Sequence, residues 1–401
     1  MFVRRRWQKA VGKRRKDKKF FGLFFLFIFN FIFLVLFLGF VFALFSVVFL
    51  KFLNFFGLKI LMILAIESTA HTFGIAVIDE KKQGERCILA NVSHTYTTEK
   101  GGIVPNEAAK HHELWKEKLL QEALEKAGME LKDIGYVAFS QGPGLSPCLI
   151  KGKELAKELC LKLKVPLIPV NHCIAHLEVA REVTEAKDPV LLYVSGANTQ
   201  VIAYAAKRYR VFGETLDIGV GNLFDSFARH IGIGFPGGPK IEETAKKYEK
   251  QGKELVELPY SVKGMDVAFS GLLTNIKQKY DSGKYSIEQL CYSFQEHVFA
   301  MLLEVAERAM AHLAKKELAL GGGVACNSRL QEMAIKMTKA RKARCFIPPK
   351  PLLVDNAAMI GITAKFMLKT RRYGFDKKAI EEARIKPYQR TDDVEVFWRE
   401  D

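Results

Sequence analysis

From residue 62 onward the sequence predicts an α/β protein built as two duplicated lobes with a cleft between them. Three observations carry that prediction. An apolar run, a polar turn and a second apolar run occur at Met62–Glu67 and Phe73–Ile78. The same layout returns at Pro189–Val194 and Thr199–Tyr204, about 125 residues later, as a duplicated unit would. Strand-like and helix-like stretches alternate between and after these pairs. Finally, two glycine-rich stretches in the second half each open a helix, which is how backbone N–H groups are brought close to a phosphate or ribose.

The elements follow in order. The first lobe has helices near Glu107–Lys126 and Pro147–Leu163, separated by the strand Gly135–Phe139. A lobe boundary is expected near Ala186–Pro189, giving lobes at 62–188 and 189–401. No Pro- or Ser-rich linker lies there, so the lobes should pack closely. In the second lobe, Gly232–Lys240 leads into a helix at Ile241–Lys250. The long helix Ser286–Leu313 repeats Leu290, Phe294, Val298, Met301, Leu302, Val305 and Ala309 at spacings of three and four, so one face is core. The strand Glu317–Leu320 runs through Gly321-Gly322-Gly323 to a helix from Asn327. Asp355 is the expected N-cap of the last long helix.

The first 61 residues are of another kind. Residues 1–19 hold ten Lys and Arg against Asp17 alone, and residues 20–58 hold 16 of the 30 phenylalanines. With Lys51 and Lys59, the head takes twelve of the 61 basic residues and one of the 44 acidic ones, leaving the body a net +6 of the total +17. Residues 20–50 carry no charge; as a helix they would span ~46 Å against a hydrocarbon core of ~30 Å. They read as one tilted span, as a hairpin, or as an upstream start ahead of a natural Met62. A signal peptide is excluded by the length of the run. The body's composition excludes disorder, collagen and a polytopic membrane protein. Seven scattered cysteines without a C-x-x-C argue against a zinc ribbon or a disulfide framework.

His172 and His176, in Asn171-His172-Cys173-Ile174-Ala175-His176, stand at i and i+4, one face of a helix, where both can meet one metal. An isolated pair of this spacing is more often structural. A zinc peptidase would need Glu directly after the first His, where Cys173 stands. P-loop and dinucleotide fingerprints are absent. Gln141-Gly142-Pro143-Gly144 and Gly101-Gly102-Ile103-Val104-Pro105 with His111-His112 read either as plain turns or as cleft linings.

Taken in order, these stretches closely resemble the universal tRNA N6-adenosine threonylcarbamoyltransferase family, once labelled glycoproteases. The resemblance runs from residue 62 to about 395. It is carried by Ile66-Glu67-Ser68-Thr69, Gly101–Pro105 with His111-His112, Ser140–Gly144, Asn171–His176, Tyr193–Gln200 and Phe235–Lys240. It continues through Phe269-Ser270-Gly271-Leu272, Gly322–Asn327 and Asp355–Met359. The wording of Asn171–His176 and Ser195–Gln200 is similar to the archaeal and eukaryotic branch, the catalytic subunit of the KEOPS complex.

The resemblance implies an actin/sugar-kinase-like fold and one transition metal ion per subunit, iron or else zinc, on His172, His176 and Asp355, with Tyr193 a weaker ligand. It implies contacts to an adenine nucleotide or threonylcarbamoyl-AMP from Tyr193, Val194, Ser195, Gly196, Ala197, Asp225, Gly238, Glu242 and Asn327. Glu242 falls to the ribose and Asn327 to the base or ribose. Ala197 stands where the family has a second glycine, and it fits only if its φ is negative; Cys326 replaces a small residue.

The activity implied is transfer of threonylcarbamoyl to adenosine-37 of tRNAs reading ANN codons. The partners implied are tRNA, an atypical small kinase, a small dimerisation subunit and an accessory subunit. A body charge of only +6 fits tRNA binding shared with those chains. No residue stands out as general base; Asp225 is the nearest candidate. The expected location is cytoplasmic, with membrane association only through residues 20–58 if they are translated. A protein starting at Met62 is expected to be active. The rival readings are a small-molecule kinase of the same fold, a metallopeptidase, and a membrane-tethered nucleotide sensor.

Overall fold

The computed structural model describes residues 62–98, 102–249 and 254–399. The apolar head, residues 1–61, and Gly101 of the glycine loop lie outside the described residues. So does Lys250, where the expected helix end falls.

The first sheet contains β1 (Met62–Glu67), β2 (Thr72–Asp79), β3 (Ile88–Thr95), β4 (Ile134–Gly142) and β5 (Leu167–Asn171). Its spatial order is β3-β2-β1-β4-β5. β1–β2 and β2–β3 pair antiparallel, β1–β4 and β4–β5 parallel. Helices α1 (Pro105–Ala127), α2 (Ser146–Leu163) and α3 (His172–Val183) complete this half. β1 and β2 are buried at every residue, which is why they read as continuous apolar runs rather than as alternation.

The second sheet repeats the plan. β6 (Val190–Val194), β7 (Thr199–Ala205) and β8 (Arg208–Glu214) form an antiparallel meander. After α4 (Val220–His230), α5 (Gly237–Glu249), α6 (Ser270–Asp281) and α7 (Ile287–His312) comes β9 (Glu317–Gly321), then α8 (Ser328–Ala340) and β10 (Arg344–Phe346). Their order, β10-β9-β6-β7-β8, is the first sheet's order with each strand replaced by its counterpart. The duplication inferred from two apolar pairs therefore extends to all ten strands of these two sheets; a short hairpin, Val262–Lys263 with Asp266–Val267, has no counterpart among the described residues of the first half.

Two cores meet along β6. Val190, Leu192 and Val194 enter one, with α4, α5, α7 and α8; every residue of the predicted stripe on α7 is buried there. Leu191 and Tyr193 point the other way, into a core shared by the first sheet, α3 and the last long helix α9 (Ala357–Thr370). The two-residue period of a strand thus aims Tyr193 at α3. α9 packs on β1, β2 and α3. At the chain's end, Trp398 Nε1 donates to Glu178 on α3 (2.6 Å) and Arg399 pairs with Asp188 (2.9 Å). All seven cysteines are free, five of them buried. Among the described residues no helix is long and apolar enough to cross a membrane.

Candidate active site

The site lies at the carboxyl ends of the parallel strands, where open α/β sheets place ligands. β5 passes directly into α3 because Asn171 caps that helix, its Oδ1 accepting from Ile174 N at 3.1 Å. His172 is therefore the first helical residue, and His176 lies one turn on. Asp355 follows the short helix Lys350–Leu353. The cap of α9 is Asn356, accepting from Met359 N at 3.1 Å, and not Asp355 as the sequence suggested. Asn356 is one residue nearer the helix, so it takes the cap and leaves the Asp355 carboxylate for the histidines.

His172 Nε2 lies 3.4 Å and His176 Nε2 3.3 Å from Asp355 Oδ1. One atom from each of the three residues falls within 4.8 Å of the others. Tyr193 Oη is 3.1 Å from His172 Nε2, and its ring centroid is 4.7 Å from that of His176. Gly321 ends β9 against His176; a Cβ there would sit 3.4 Å from the His176 Cβ.

Glu67, at the end of β1, is fully buried and supports this group. Its Oε1 accepts from Thr69 N (2.6 Å) and Thr69 Oγ1 (2.5 Å), and its Oε2 lies 3.1 Å from His172 Nδ1. That contact turns His172 Nε2 toward Asp355, the arrangement by which a carboxylate orients a metal-binding imidazole. Sequence reading placed Glu67 in a motif but gave it no role; the pairing is non-local and leaves no spacing signal.

The electrostatics are those of a buried pair. Burial works against charge on His172, but Tyr193, Glu67 and Asp355 outweigh it and hold the imidazole well above its usual range. Burial likewise opposes ionisation of Asp355, and His172 and His176 overcome it, holding the carboxyl well below the usual range. Burial lowers His176, and its Nδ1 is buried without a hydrogen-bond partner. Burial raises the Tyr193 phenol.

The second-lobe residues form a separate wall. Ser195, Gly196, Ala197 and Asn198 make the tight turn between β6 and β7, closed by Ser195 N donating to Asn198 O at 2.8 Å. Ala197 is not among the residues with positive φ, so its side chain fits. Three glycines crowd this hairpin. A Cβ at Gly219 would lie 2.4 Å from Ala197 C, one at Gly221 2.7 Å from Gly196 Cα, and one at Gly322 2.3 Å from Val194 O. Sequence reading flagged Gly322 but missed Gly219 and Gly221. Their requirement comes from a backbone brought close by the fold.

Asp225 on α4 accepts from Gly237 N at 2.7 Å and so anchors the start of α5, where Gly238 also lies. Burial raises its carboxyl, offset in part by Gly237 N–H, Arg229 and His71. Glu242 Oε1 accepts from Ser328 N (3.1 Å) and Lys246 Nζ (2.7 Å). Asn327 caps α8 through Oδ1 and donates from Nδ2 to Gln295 at 2.9 Å. Glu242 thus bonds the residue next to Asn327, while Asn327 itself is tied to Gln295 on α7 and to the first turn of α8.

His111 and His112 lie apart from the cluster. His112 Nε2 is 3.1 Å from Ala70 O and the two rings approach Nδ1 to Nδ1 at 3.2 Å, while His111 Nε2 is 2.6 Å from His94 Nδ1. The Gln141–Gly144 turn is held by Lys386 N donating to Gln141 O (2.8 Å) and Gly144 N to Pro387 O (3.1 Å).

Comparison with known proteins gives a consistent answer. The family model described as TsaD, tRNA N6-adenosine threonylcarbamoyltransferase, matches residues 87–362. The protein of that name from Thermococcus kodakarensis is 54% identical over 335 residues, 84% of this chain and 99% of the relative. Its namesake from Thermofilum pendens is 47% identical over 344 residues, 86% and 99% of the two chains. A probable bifunctional tRNA threonylcarbamoyladenosine biosynthesis protein from Methanocaldococcus jannaschii is 49% identical over 335 residues, 84% of this chain and 60% of that one. Among solved structures, full-length HypF in its phosphate- and nucleotide-bound form aligns with a TM-score of 0.54 at 13% identity, over 78% of this chain and 56% of HypF. At that identity the likeness concerns the fold, the actin/sugar-kinase-like one.

Proposed function

The chain belongs to the tRNA N6-adenosine threonylcarbamoyltransferase family, and we propose that His172, His176 and Asp355, with Tyr193 beside them, hold the one metal ion of each subunit. The enzyme transfers a threonylcarbamoyl group to the N6 amine of adenosine in tRNA. The observation that carries the metal proposal is the convergence of two imidazoles and a carboxylate within 4.8 Å. The residues fit a metal: both Nε2 atoms face Asp355, and Glu67 holds His172 from behind. Two imidazoles favour iron or zinc over magnesium.

Bound there, such an ion supplies Lewis acidity and a point of attachment for the donor. The rest falls to the chain. An exocyclic aromatic amine is a weak nucleophile, so transfer depends on holding carbonyl and amine in line. In this reading the donor is threonylcarbamoyl-AMP. Its adenylate lies along the wall formed by Tyr193, Val194, Ser195, Gly196, Ala197, Asp225, Gly238, Glu242 and Asn327. The new bond joins N6 to the carbamoyl carbon as the bond to the phosphate oxygen breaks, AMP leaves and N6 loses a proton. The Tyr193 phenol, kept protonated by burial, stands next to the cluster with its Oη 3.1 Å from His172 Nε2. Glu242 and Asn327 give up internal bonds for ligand bonds when the nucleotide enters.

The acceptor is adenosine-37 of tRNAs reading ANN codons. It lies in a single-stranded loop, so presenting it costs less than flipping a base from a duplex. The cleft lies between the lobes expected at 62–188 and 189–401, with α9 of the later segment packed on the first sheet; KEOPS subunits share the tRNA, and the site of action is the cytoplasm. The test combines metal analysis with a transfer assay on purified tRNA. His172→Ala should lose bound metal and transfer together with the fold intact; full metal occupancy in that variant would sink the assignment.

A further inference from the structure

Residues 383–390 follow the short helix Lys377–Glu381 and run as a strap along the Gln141–Gly144 turn. They are pinned along their length. Gln141 Nε2 donates to Arg384 O (2.9 Å), Lys386 N to Gln141 O (2.8 Å) and Gly144 N to Pro387 O (3.1 Å). Asn171, which caps the helix that begins at His172, donates from Nδ2 to Gln389 Oε1 at 3.2 Å. Gly142 admits the strap because it has no side chain: a Cβ there would lie 1.9 Å from Lys386 O. Gln389 N donates to Lys386 O (3.0 Å), and Tyr388 stands in the resulting turn.

Exposure alternates along this stretch. Ile385, Pro387 and Gln389 are half-buried, while Arg384, Lys386, Tyr388 and Arg390 face solvent. Tyr388 is 93% exposed, the most exposed large apolar side chain among the described residues. Arg390 is held by Asp392 (3.1 Å) and Glu214 (3.5 Å). An aromatic ring carried on a pinned backbone, open to solvent and flanked by cationic side chains, matches the chemistry of an unpaired nucleobase with its phosphates. Every base offers a face for stacking, and the cations meet the backbone.

We propose that Tyr388 is a stacking platform for an unpaired base of the RNA acceptor, with Arg384 and Lys386 on the adjoining phosphates. The strap's tie to Asn171 places the platform beside the helix that carries His172 and His176, so a loop stacked there is presented to the cleft. This proposal rests on the tRNA-transferase reading.

The test uses the full-length chain and a fluorescently labelled anticodon stem–loop RNA. Tyr388→Ala should weaken binding by about 5- to 150-fold, the range measured for loss of one base–aromatic stack. Tyr388→Trp should retain affinity, because stacking needs the ring and not the hydroxyl. Lys386→Ala should weaken binding and lower the salt slope by about one. The KM for tRNA should rise in Tyr388→Ala while threonylcarbamoyl-AMP binding, bound metal and thermal midpoint stay at wild-type values, which a structural role would not allow. Unchanged RNA affinity in Tyr388→Ala, with a wild type that binds and transfers, overturns the platform and leaves the activity standing. A wild type that neither binds the stem–loop nor transfers overturns both.

Discussion

At the scale of single residues, the site depends on one carboxylate that touches no ligand. Glu67 fixes the His172 ring from behind, and partners of this kind typically contribute 10- to 100-fold to metal affinity. Glu67→Gln should therefore weaken metal binding by about that factor while His172, His176 and Asp355 remain; metal titration of the variant measures it. A second residue makes a different demand. His112 is fully buried, with its Nε2 against Ala70 O, and burial followed by the neighbouring His111 lowers its pKa to about 4. The unfolded chain takes up this proton near 6.5, so the folded state binds fewer protons between the two values. Stability is complete above 6.5 and falls as pH drops toward 4, by at most about 3 kcal/mol from this group. His112→Gln should flatten the stability profile over that window, read by denaturant unfolding at a series of pH values. The i, i+4 spacing put His172 and His176 on one helix face, but it was the family resemblance and not the spacing that pointed to a metal there. Glu67 was not legible, since its pairing with His172 is non-local; the choice of Asn356 over Asp355 as cap turned on a one-residue helix boundary, which sequence patterns place poorly.

Among the elements, the strands buried on both faces were the readable ones. β1, β2, β6 and β7 are nearly continuous apolar runs, whereas β3 and β8 lie at or near sheet edges with mixed burial, and their sequences mix polar with apolar residues. The α5 helix begins at Gly237, earlier than the expected Ile241, because Asp225 accepts from the Gly237 N–H and supports the first turn. The glycine run after β9 divides sharply by position. Gly322 has φ +92° and faces Val194 O, while a Cβ at Gly323 would meet nothing within 4 Å. Gly322→Ala should cost about 1–3 kcal/mol of stability and weaken binding of a non-hydrolysable ATP analogue. Gly323→Ala should change neither; calorimetry of both variants checks the contrast.

For the molecule as a whole, the proposed site residues and the two large cores are built from the described residues of 62–399. The Thermococcus kodakarensis relative is matched over 99% of its length by 335 residues of this chain. A protein beginning at Met62 should accordingly fold and retain transfer activity, checked by thermal unfolding and by the tRNA assay; a folded but inactive protein would contradict it. The packing of α9 on β1, β2 and α3, with Trp398 on Glu178, also has a meaning in time. During synthesis β1 and β2 leave the ribosome early, yet the helix that covers them is encoded some 280 residues after β2. Chains commonly fold domain by domain from the N-terminus as they emerge, but here the early half must wait, with an apolar face open, for the last segment to arrive. The half that is made first is the half that is finished last.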